Sequence, residues 1–392
     1  MQATHGFADL VRLRTRVIGY AIAFALALSA LVLALGSTAR AAEPKHKTYL
    51  GSGTSIAFGY SQELFNENFP TENPEAFEEA LPAGSGKPNG VVLDYFNLLQ
   101  ASNPGWTRQI NDGCPGETSA SYIGNGQTGK ILEKIIAGTH TAAPCAYKYV
   151  NNFGLHHEYK GEESQLESVL ESIRNENSGK NATKHPIQIL TLDLGANDLL
   201  AAVKKCEKEV AEGIWTGASG EPPITECEIV SLPAVIGALN HNIAAVLFAI
   251  RQGGSLCFAD CDEGDQGVNY LGRISFGGFY NPFGSVITPG VEINPGSNFL
   301  DFVVNIATKA TVSKFGVCYA NPQSAPGNHA LAFNPLINGE PALEPGRLQA
   351  WTNMANTTTA KNGNKAANGP DIHPTPLGYE ILAQGYAAEC GV

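Results

Sequence analysis

The feature that most constrains the fold is a nearly continuous apolar run, PIQILTLDL, at residues 186–194. A run of this length between helix-breaking residues is typical of a strand buried on both faces of a parallel sheet. Segments with helical period precede and follow it, at 165–175 and 197–213. Strands that alternate with helices predict βαβ units with helices on both faces. We therefore expect an α/β protein with a central, mainly parallel sheet.

The same patterns predict the rest of the chain. Further strands are expected at 47–50, 107–111, 273–279 and 316–320, and further helices at 91–99, 129–138, 232–252, 299–314 and 376–388. Two stretches have no helix or strand period: 61–88, which is acidic and Pro-rich, and 322–370, which is rich in Asn, Pro and Gly. Long loops of this kind are usually functional or disordered. We expect one domain over 42–392, with these two insertions shaping its binding pocket; solvated insertions are the alternative.

Residues 1–41 predict an export signal. Three arginines precede an uncharged apolar run at 17–36, and the tripeptide ARA at 39–41 provides the small residues that a cleavage site needs. This is the layout of a secretory signal peptide. A permanent anchor is the alternative, because twenty apolar residues can cross a bilayer. We expect a secreted protein that touches a membrane only if this segment stays uncleaved.

Charge and cysteine content narrow the partners and the compartment. The net charge of −12 argues against nucleic acid, which needs a basic face. All eight cysteines follow residue 41, and an even number in an exported chain predicts up to four disulfides. The pairing is open, but Cys206 with Cys227 is favoured because it would join two helical stretches across a Gly/Pro loop.

A metal is not expected. Zinc is an alternative for Cys257 and Cys261, but no paired His/Cys set completes a tetrahedral site. The acidic residues at 260–265 miss the order of a calcium-binding loop, so calcium is only a minor alternative there.

Three short blocks stand where parallel strands place their chemistry, just beyond the carboxyl ends. After the first strand, Ser55 lies between glycines where a helix can begin. After the second, Gly116 can present a bare backbone N–H to an anion. After the 186–194 strand, Asn197 can donate to a developing oxyanion. Each also has a simpler structural reading, as a helix cap or a Pro-Gly turn.

The segment DIHPTPLGY carries a stronger backbone argument. Pro374 pushes His373 into an extended conformation, and in extended chain residues two apart point to the same side. Asp371 and His373 should therefore project together, so that the carboxylate can orient the imidazole. A turn with a surface histidine is the alternative.

In their order along the chain, Ser55, Gly116, Asn197 and His373 resemble the four signature blocks of the SGNH (GDSL-type) hydrolases. The matching segments are GTSIAFGYS, GCPGETS, LDLGANDL and DIHPTPLGYEIL. The resemblance covers most of 47–392. It implies a flavodoxin-like, three-layer α/β/α sandwich and ester hydrolysis without metal or cofactor.

The resemblance also implies a role for each residue. Ser55 is the nucleophile that forms an acyl-enzyme, His373 takes its proton and passes it to the leaving alcohol, and Asp371 orients His373. The backbone N–H groups of Ser55 and Gly116 and the amide of Asn197 form the oxyanion hole.

Two positions depart from the family pattern. Thr54 stands where the family usually has Asp, which puts the geometry of the serine loop in question. Pro370 stands three residues before His373, where the family's Asp often lies. Some members orient the histidine with a backbone carbonyl, and Pro370 has one, so this alternative to Asp371 stays open.

The sequence thus predicts a secreted serine hydrolase that cleaves carboxylic esters, either small molecules or lipids. Deacetylation of an acylated polysaccharide is the alternative within that class. Outside it stands a non-catalytic, secreted protein that binds carbohydrate or another surface.

Overall fold

The computed structural model describes residues 44, 46–60, 90–124, 145, 155–159, 164–220, 222–253, 267–281, 295–322, 336–337, 340–341, 372–374 and 376–392. Several predictions lie outside these residues: the export signal at 1–41, the helix at 129–138, nearly all of both insertions, the 257–265 segment with its two cysteines, and Asp371.

Five parallel strands form the central sheet, in the spatial order β2-β1-β3-β4-β5. They are β1 (Lys47–Gly53), β2 (Trp106–Gly113), β3 (Ile187–Asp193), β4 (Arg273–Gly277) and β5 (Cys318–Ala320). Two further short strands pair with each other in antiparallel fashion, β6 (Leu336–Ile337) and β7 (Glu340–Pro341). The apolar run that dominates the sequence is β3, and it lies in the middle of the sheet as its burial on both faces requires.

The described helices follow the strands in the predicted alternation. They are α1 (Ser55–Phe58), α2 (Gly90–Ser102), α3 (Ser119–Ile123), α4 (Gln165–Glu176), α5 (Asn181–Lys184), α6 (Ala196–Ala211), α7 (Pro223–Gln252), α8 (Pro295–Ser313) and α9 (Pro376–Cys390).

These helices cover both faces of the sheet. Alternate residues of a strand point to opposite faces, and Tyr49 and Ile189 accordingly pack in one apolar cluster while Leu50 and Leu190 pack in another. Helices α2 and α9 close the first cluster, and α4, α7 and α8 close the second. The predicted fold class, a three-layer α/β/α arrangement around a parallel sheet, is confirmed.

Helix α7 differs from its prediction. It begins at Pro223, well before the expected start at residue 232, and contains Pro233 in its interior. A proline suits the first position of a helix because its missing N–H has no intrahelical partner there. The favoured disulfide, Cys206–Cys227, is present and joins the first turns of α7 to α6. The length and hydropathy of α7 would allow it to cross a membrane, but one face of its C-terminal half packs in the core.

Two more disulfides are present in the described part of the chain. Cys114 is bonded to Cys145 just beyond β2, and Cys318 of β5 is bonded to Cys390 at the end of α9. Disulfides persist in oxidising compartments, so three of them favour an extracellular protein.

Candidate active site

The serine loop begins where β1 ends. Thr54 caps α1, its side-chain oxygen accepting a hydrogen bond from the backbone N–H of Ile56 at 3.4 Å. Ser55 is the first residue of this short helix and is only 7% exposed. Gly53 has a positive φ of 142°, and a Cβ there would overlap the carboxylate of Asp193. The turn therefore requires glycine before it can present Ser55 at the carboxyl edge of the sheet.

His373 meets Ser55 at this edge. Its Nε2 lies 2.8 Å from Ser55 Oγ, although the two residues are 318 positions apart in the chain. At this distance the serine hydroxyl can donate its proton to the unprotonated ring nitrogen, which is the geometry that activates a serine nucleophile. The structure thus brings together the two residues whose proximity the mechanism needs most.

Tyrosine side chains hold the histidine segment in place. The ring of Tyr60 lies 4.6 Å from the imidazole of His373 between centroids. The hydroxyl of Tyr379 donates to the carbonyl of Tyr60 at 2.7 Å, and the hydroxyl of Tyr280 donates to the carbonyl of Ile372 at 2.8 Å. The backbone on both sides of the Ser55–His373 contact is therefore anchored.

Asp371, the predicted orienting carboxylate, lies outside the described residues. Its role stays a prediction, as does the alternative that the carbonyl of Pro370 orients His373.

The sheet order places the predicted oxyanion donors at the same edge of the sheet as Ser55. Strand β1 lies between β2 and β3, and all three run parallel, so Ser55, Gly116 and Asn197 follow their strands at the same edge. Gly116 is exposed, with a φ of 81°. The Nδ2 of Asn197 donates to the carbonyl of Glu117 at 2.8 Å. That bond fixes the amide against the Gly116 loop, and its second N–H remains for another acceptor.

Asp198, the residue after Asn197, ties the same loop from a second point. Its carboxylate accepts hydrogen bonds from the backbone N–H of Ser119 at 2.9 Å and from the Ser119 hydroxyl at 2.6 Å. Asn242 of α7 also donates to that hydroxyl, at 2.9 Å. Burial raises the pKa of Asp198, and the hydrogen bonds from Ser119 act in the opposite direction. Two consecutive side chains of the GANDL block thus hold the loop that carries Gly116.

Asp193 is a residue of the site that the sequence analysis missed. It ends β3, and its carboxylate accepts hydrogen bonds from the backbone N–H of Thr54 at 3.2 Å and from the Thr54 hydroxyl. Part of the residue reaches the surface, but desolvation of the carboxylate raises its pKa to about 7, while hydrogen bonds from Thr54 and Ala57 oppose that shift. The sequence does contain a signal for Asp193, because an acidic residue within a buried apolar strand needs hydrogen-bond or charge partners.

Thr54 also resolves the doubt about the serine loop. Where the family usually has Asp, this chain has a hydroxyl that caps α1 through the N–H of Ile56 and donates to Asp193. The carboxylate that holds the loop therefore comes from β3.

Behind the site, buried polar groups join β1 and β2. The Nε2 of Gln165 donates to the carbonyl of Gly53 at 2.8 Å and to the carbonyl of Asp112. The hydroxyl of Tyr159 donates to the Asp112 carboxylate at 2.7 Å, and His156 hydrogen-bonds the carbonyl of Phe58 at the end of α1 at 3.0 Å. These hydrogen bonds hold the ends of β1 and α1, between which Ser55 lies.

Within the described residues, one group could offer three ligands to a metal, namely Cys114, Glu117 and Cys145. The two cysteines form a disulfide and so supply no thiolate. The group is thus a cross-link beside Gly116, and it does not fit a metal in this oxidised state.

No family model matches the sequence, and no curated protein sequence matches it. Solved structures similar to the chain include a phospholipase A1 from Streptomyces albidoflavus NA297, with 12% identity, a TM-score of 0.43 and coverage of 88% of this chain and 99% of that chain. They also include a lipase from a goat rumen metagenome (13% identity, TM-score 0.38, coverage 88% and 97%). A third is an acetylxylan esterase from Geobacillus stearothermophilus (13% identity, TM-score 0.38, coverage 88% and 94%).

At such identities the similarity says nothing of substrate or catalytic residues, so the functional argument depends on the geometry of the site.

Proposed function

We propose that the protein is a secreted serine hydrolase that cleaves carboxylic esters. The observation that carries this proposal is the 2.8 Å contact between Ser55 Oγ and His373 Nε2, at the carboxyl edge of a parallel sheet. A serine hydroxyl on an imidazole nitrogen has few structural uses, whereas it is the basic unit of nucleophilic catalysis by serine. A protein that only binds a carbohydrate or another surface does not need it.

In the proposed mechanism Ser55 Oγ attacks the ester carbonyl while His373 accepts the serine proton. The resulting tetrahedral oxyanion is stabilised by the N–H groups of Ser55 and Gly116 and by the second N–H of Asn197. His373 then protonates the leaving alcohol, and an acyl-enzyme remains on Ser55. A water molecule, deprotonated by His373, releases the acid and restores the serine.

The finer points of the proposal concern orientation and compartment. We assign Asp371 the role of orienting His373, which stabilises the imidazolium that forms during attack. We also propose that residues 1–41 are removed on export and that 42–392 is the mature hydrolase domain. The three disulfides support export, because they need an oxidising compartment.

A fluorophosphonate probe tests the nucleophile directly. We expect the mature protein to be labelled and Ser55→Ala to lose labelling. Ser102→Ala is the matched control, because Ser102 is an exposed serine at the end of α2. An unlabelled wild type would instead support the non-catalytic binding protein.

A panel of p-nitrophenyl esters from acetyl to palmitoyl, with acetylated xylan beside it, identifies the substrate class. A preference for long acyl chains supports a lipase. Activity confined to acetyl esters and acetylated polysaccharide supports the deacetylase alternative.

A further inference from the structure

We propose that Asp193 is a positioning residue for the nucleophile and acts through Thr54. The proposal rests on the serine-hydrolase function given above and deepens it. Asp193 is distant from Thr54 in sequence, with 139 positions between their numbers, yet its carboxylate binds both the backbone N–H and the hydroxyl of Thr54. Thr54 directly precedes Ser55, so these two hydrogen bonds fix the position of the backbone that carries the nucleophile.

The backbone at Gly53 makes room for the Asp193 side chain. Gly53 has a φ of 142°, and a Cβ at that residue would overlap the Asp193 side chain and its carbonyl. Gly53 thus leaves space for the carboxylate of Asp193, and Thr54 supplies the hydroxyl that donates to it. Since Thr54 also caps α1, the carboxylate, the cap and the serine form one continuous unit.

The same turn holds the other half of the site. Asp193 binds the serine loop after β1, while Asn197 and Asp198, a few residues on, bind the loop after β2 that carries Gly116. The turn after β3 therefore sets the nucleophile against the oxyanion donors. A displacement of about 1 Å in such a site can reduce the rate about 100-fold.

The chemistry of the contact favours a carboxylate. An ionised carboxylate only accepts, so it can satisfy the N–H and the hydroxyl of Thr54 together, whereas an Asn side chain brings an NH₂ group against one of these donors. Burial makes the ionised form costly and raises the pKa of Asp193 to about 7. Holding a carboxylate here against that cost favours a role in the site.

Among the described residues, three tyrosines from three elements interact electrostatically with Asp193: Tyr49 of β1, Tyr122 of α3 and Tyr386 of α9. Burial raises the pKa of each, so all three stay neutral through the physiological range. Asp112 and Glu117 also raise the pKa of Tyr122 through charge repulsion. A loss of function caused by protonation of Asp193 can thus be separated from titration of the tyrosines.

The test compares Asp193→Asn, Thr54→Val and Thr54→Ser with the wild type on a p-nitrophenyl ester. For Asp193→Asn and Thr54→Val we expect kcat to fall about 10-fold to 100-fold with KM nearly unchanged, and the rate of fluorophosphonate labelling of Ser55 to fall in parallel. Thr54→Ser keeps the hydroxyl and should retain activity close to that of the wild type. The double variant Asp193→Asn/Thr54→Val should be no slower than the worse single variant, since both changes remove one interaction.

The pH profile is a readout that a purely structural role would not move. His373 must be unprotonated and Asp193 ionised for the serine to react, so the acid limb of kcat/KM in the wild type should be steeper than one proton requires. In Asp193→Asn the acid limb of the kcat/KM profile should have the slope expected for a single titrating group.

Glu176→Gln is the matched control. Glu176 is a buried carboxylate paired with Arg108 and His185 near the amino end of β3, at the edge opposite the serine, and its loss should leave kcat unchanged. An active wild type with full kcat in both Asp193→Asn and Thr54→Val would overturn this inference and leave the hydrolase proposal standing. If Asp193→Asn does not fold, the comparison of Thr54→Val with Thr54→Ser decides alone.

A wild type that neither hydrolyses esters nor reacts with the probe would overturn the hydrolase proposal itself.

Discussion

The serine side and the histidine side of the site are held in different ways. The serine side is built from three neighbouring strand ends, and carboxylate and amide side chains of the β3 turn bind the loops on both of its flanks. The histidine side is a segment near the C-terminal end of the chain. The hydroxyl of Tyr280 donates to its Ile372 carbonyl, and the hydroxyl of Tyr379, which follows it, donates to the Tyr60 carbonyl on the serine side. The difference teaches that the sheet itself positions Ser55 and the proposed oxyanion donors, whereas packing of distant segments positions His373, the proposed base.

The largest expected effect comes from separating the two sides. His373→Ala removes the group that takes the proton of Ser55, so turnover should fall by about 10⁴-fold to 10⁶-fold, as should that of Ser55→Ala. Steady-state kinetics on a p-nitrophenyl ester measures both. The double variant should be no slower than either single one, because the two residues act as a unit. Full activity in His373→Ala would contradict the mechanism.

Next comes the oxyanion donor of the serine side. Asn197→Ala should reduce kcat about 10²-fold to 10³-fold with a smaller change in KM, since the donor acts mainly on the developing charge. The variant also loses the bond to the Glu117 carbonyl, so thermal unfolding should be measured beside kcat. A kcat within about twofold of wild type would remove Asn197 from the site.

The serine side should also carry a pH-dependent stability. The pKa of Asp193 is about 7 in the folded protein against an ordinary value of 3.8, so between these values the folded state binds the extra proton and the free energy of unfolding falls as pH rises. In Asp193→Asn this contribution should be absent. The free energy of unfolding of the variant should therefore fall by about 1–3 kcal/mol less than that of the wild type between pH 4 and pH 8. Urea unfolding of both proteins across that range measures it. Parallel curves would show that Asp193 is not the titrating group.

The smallest effect is expected on the histidine side. Tyr280→Phe removes the hydroxyl that donates to the Ile372 carbonyl, so kcat should fall about tenfold or less and the free energy of unfolding by about 1 kcal/mol. Tyr270→Phe is the matched control, because Tyr270 is buried and its hydroxyl has no hydrogen-bond partner among the described residues. Equal losses of kcat in the two variants would mean that Tyr280 does not position His373.

Much of the fold could be predicted because its signals are local. The buried run that became β3 and the periodic segments that became α2, α4 and α9 depend on residues close in sequence. The start of α7 could not, because its first turns, interrupted by Pro233, are held by the disulfide to Cys206. The Thr54–Asp193 pair escaped prediction for the same reason, since only the pairing of β1 with β3 brings these residues together.

The sequence by itself determined the order of strands and helices and supplied the polar residues just beyond the strand ends, because turn chemistry and apolar period act over a few residues. The tertiary structure decided which of these residues meet. Parallel pairing of β1 with β2 and β3 gathers three loops at one edge, and packing of α9 and Tyr280 carries His373 across more than three hundred residues to Ser55. Contacts of that range depend on burying a whole core, so the nucleophile, its base and the carboxylate of Asp193 become one site only when the sheet is complete.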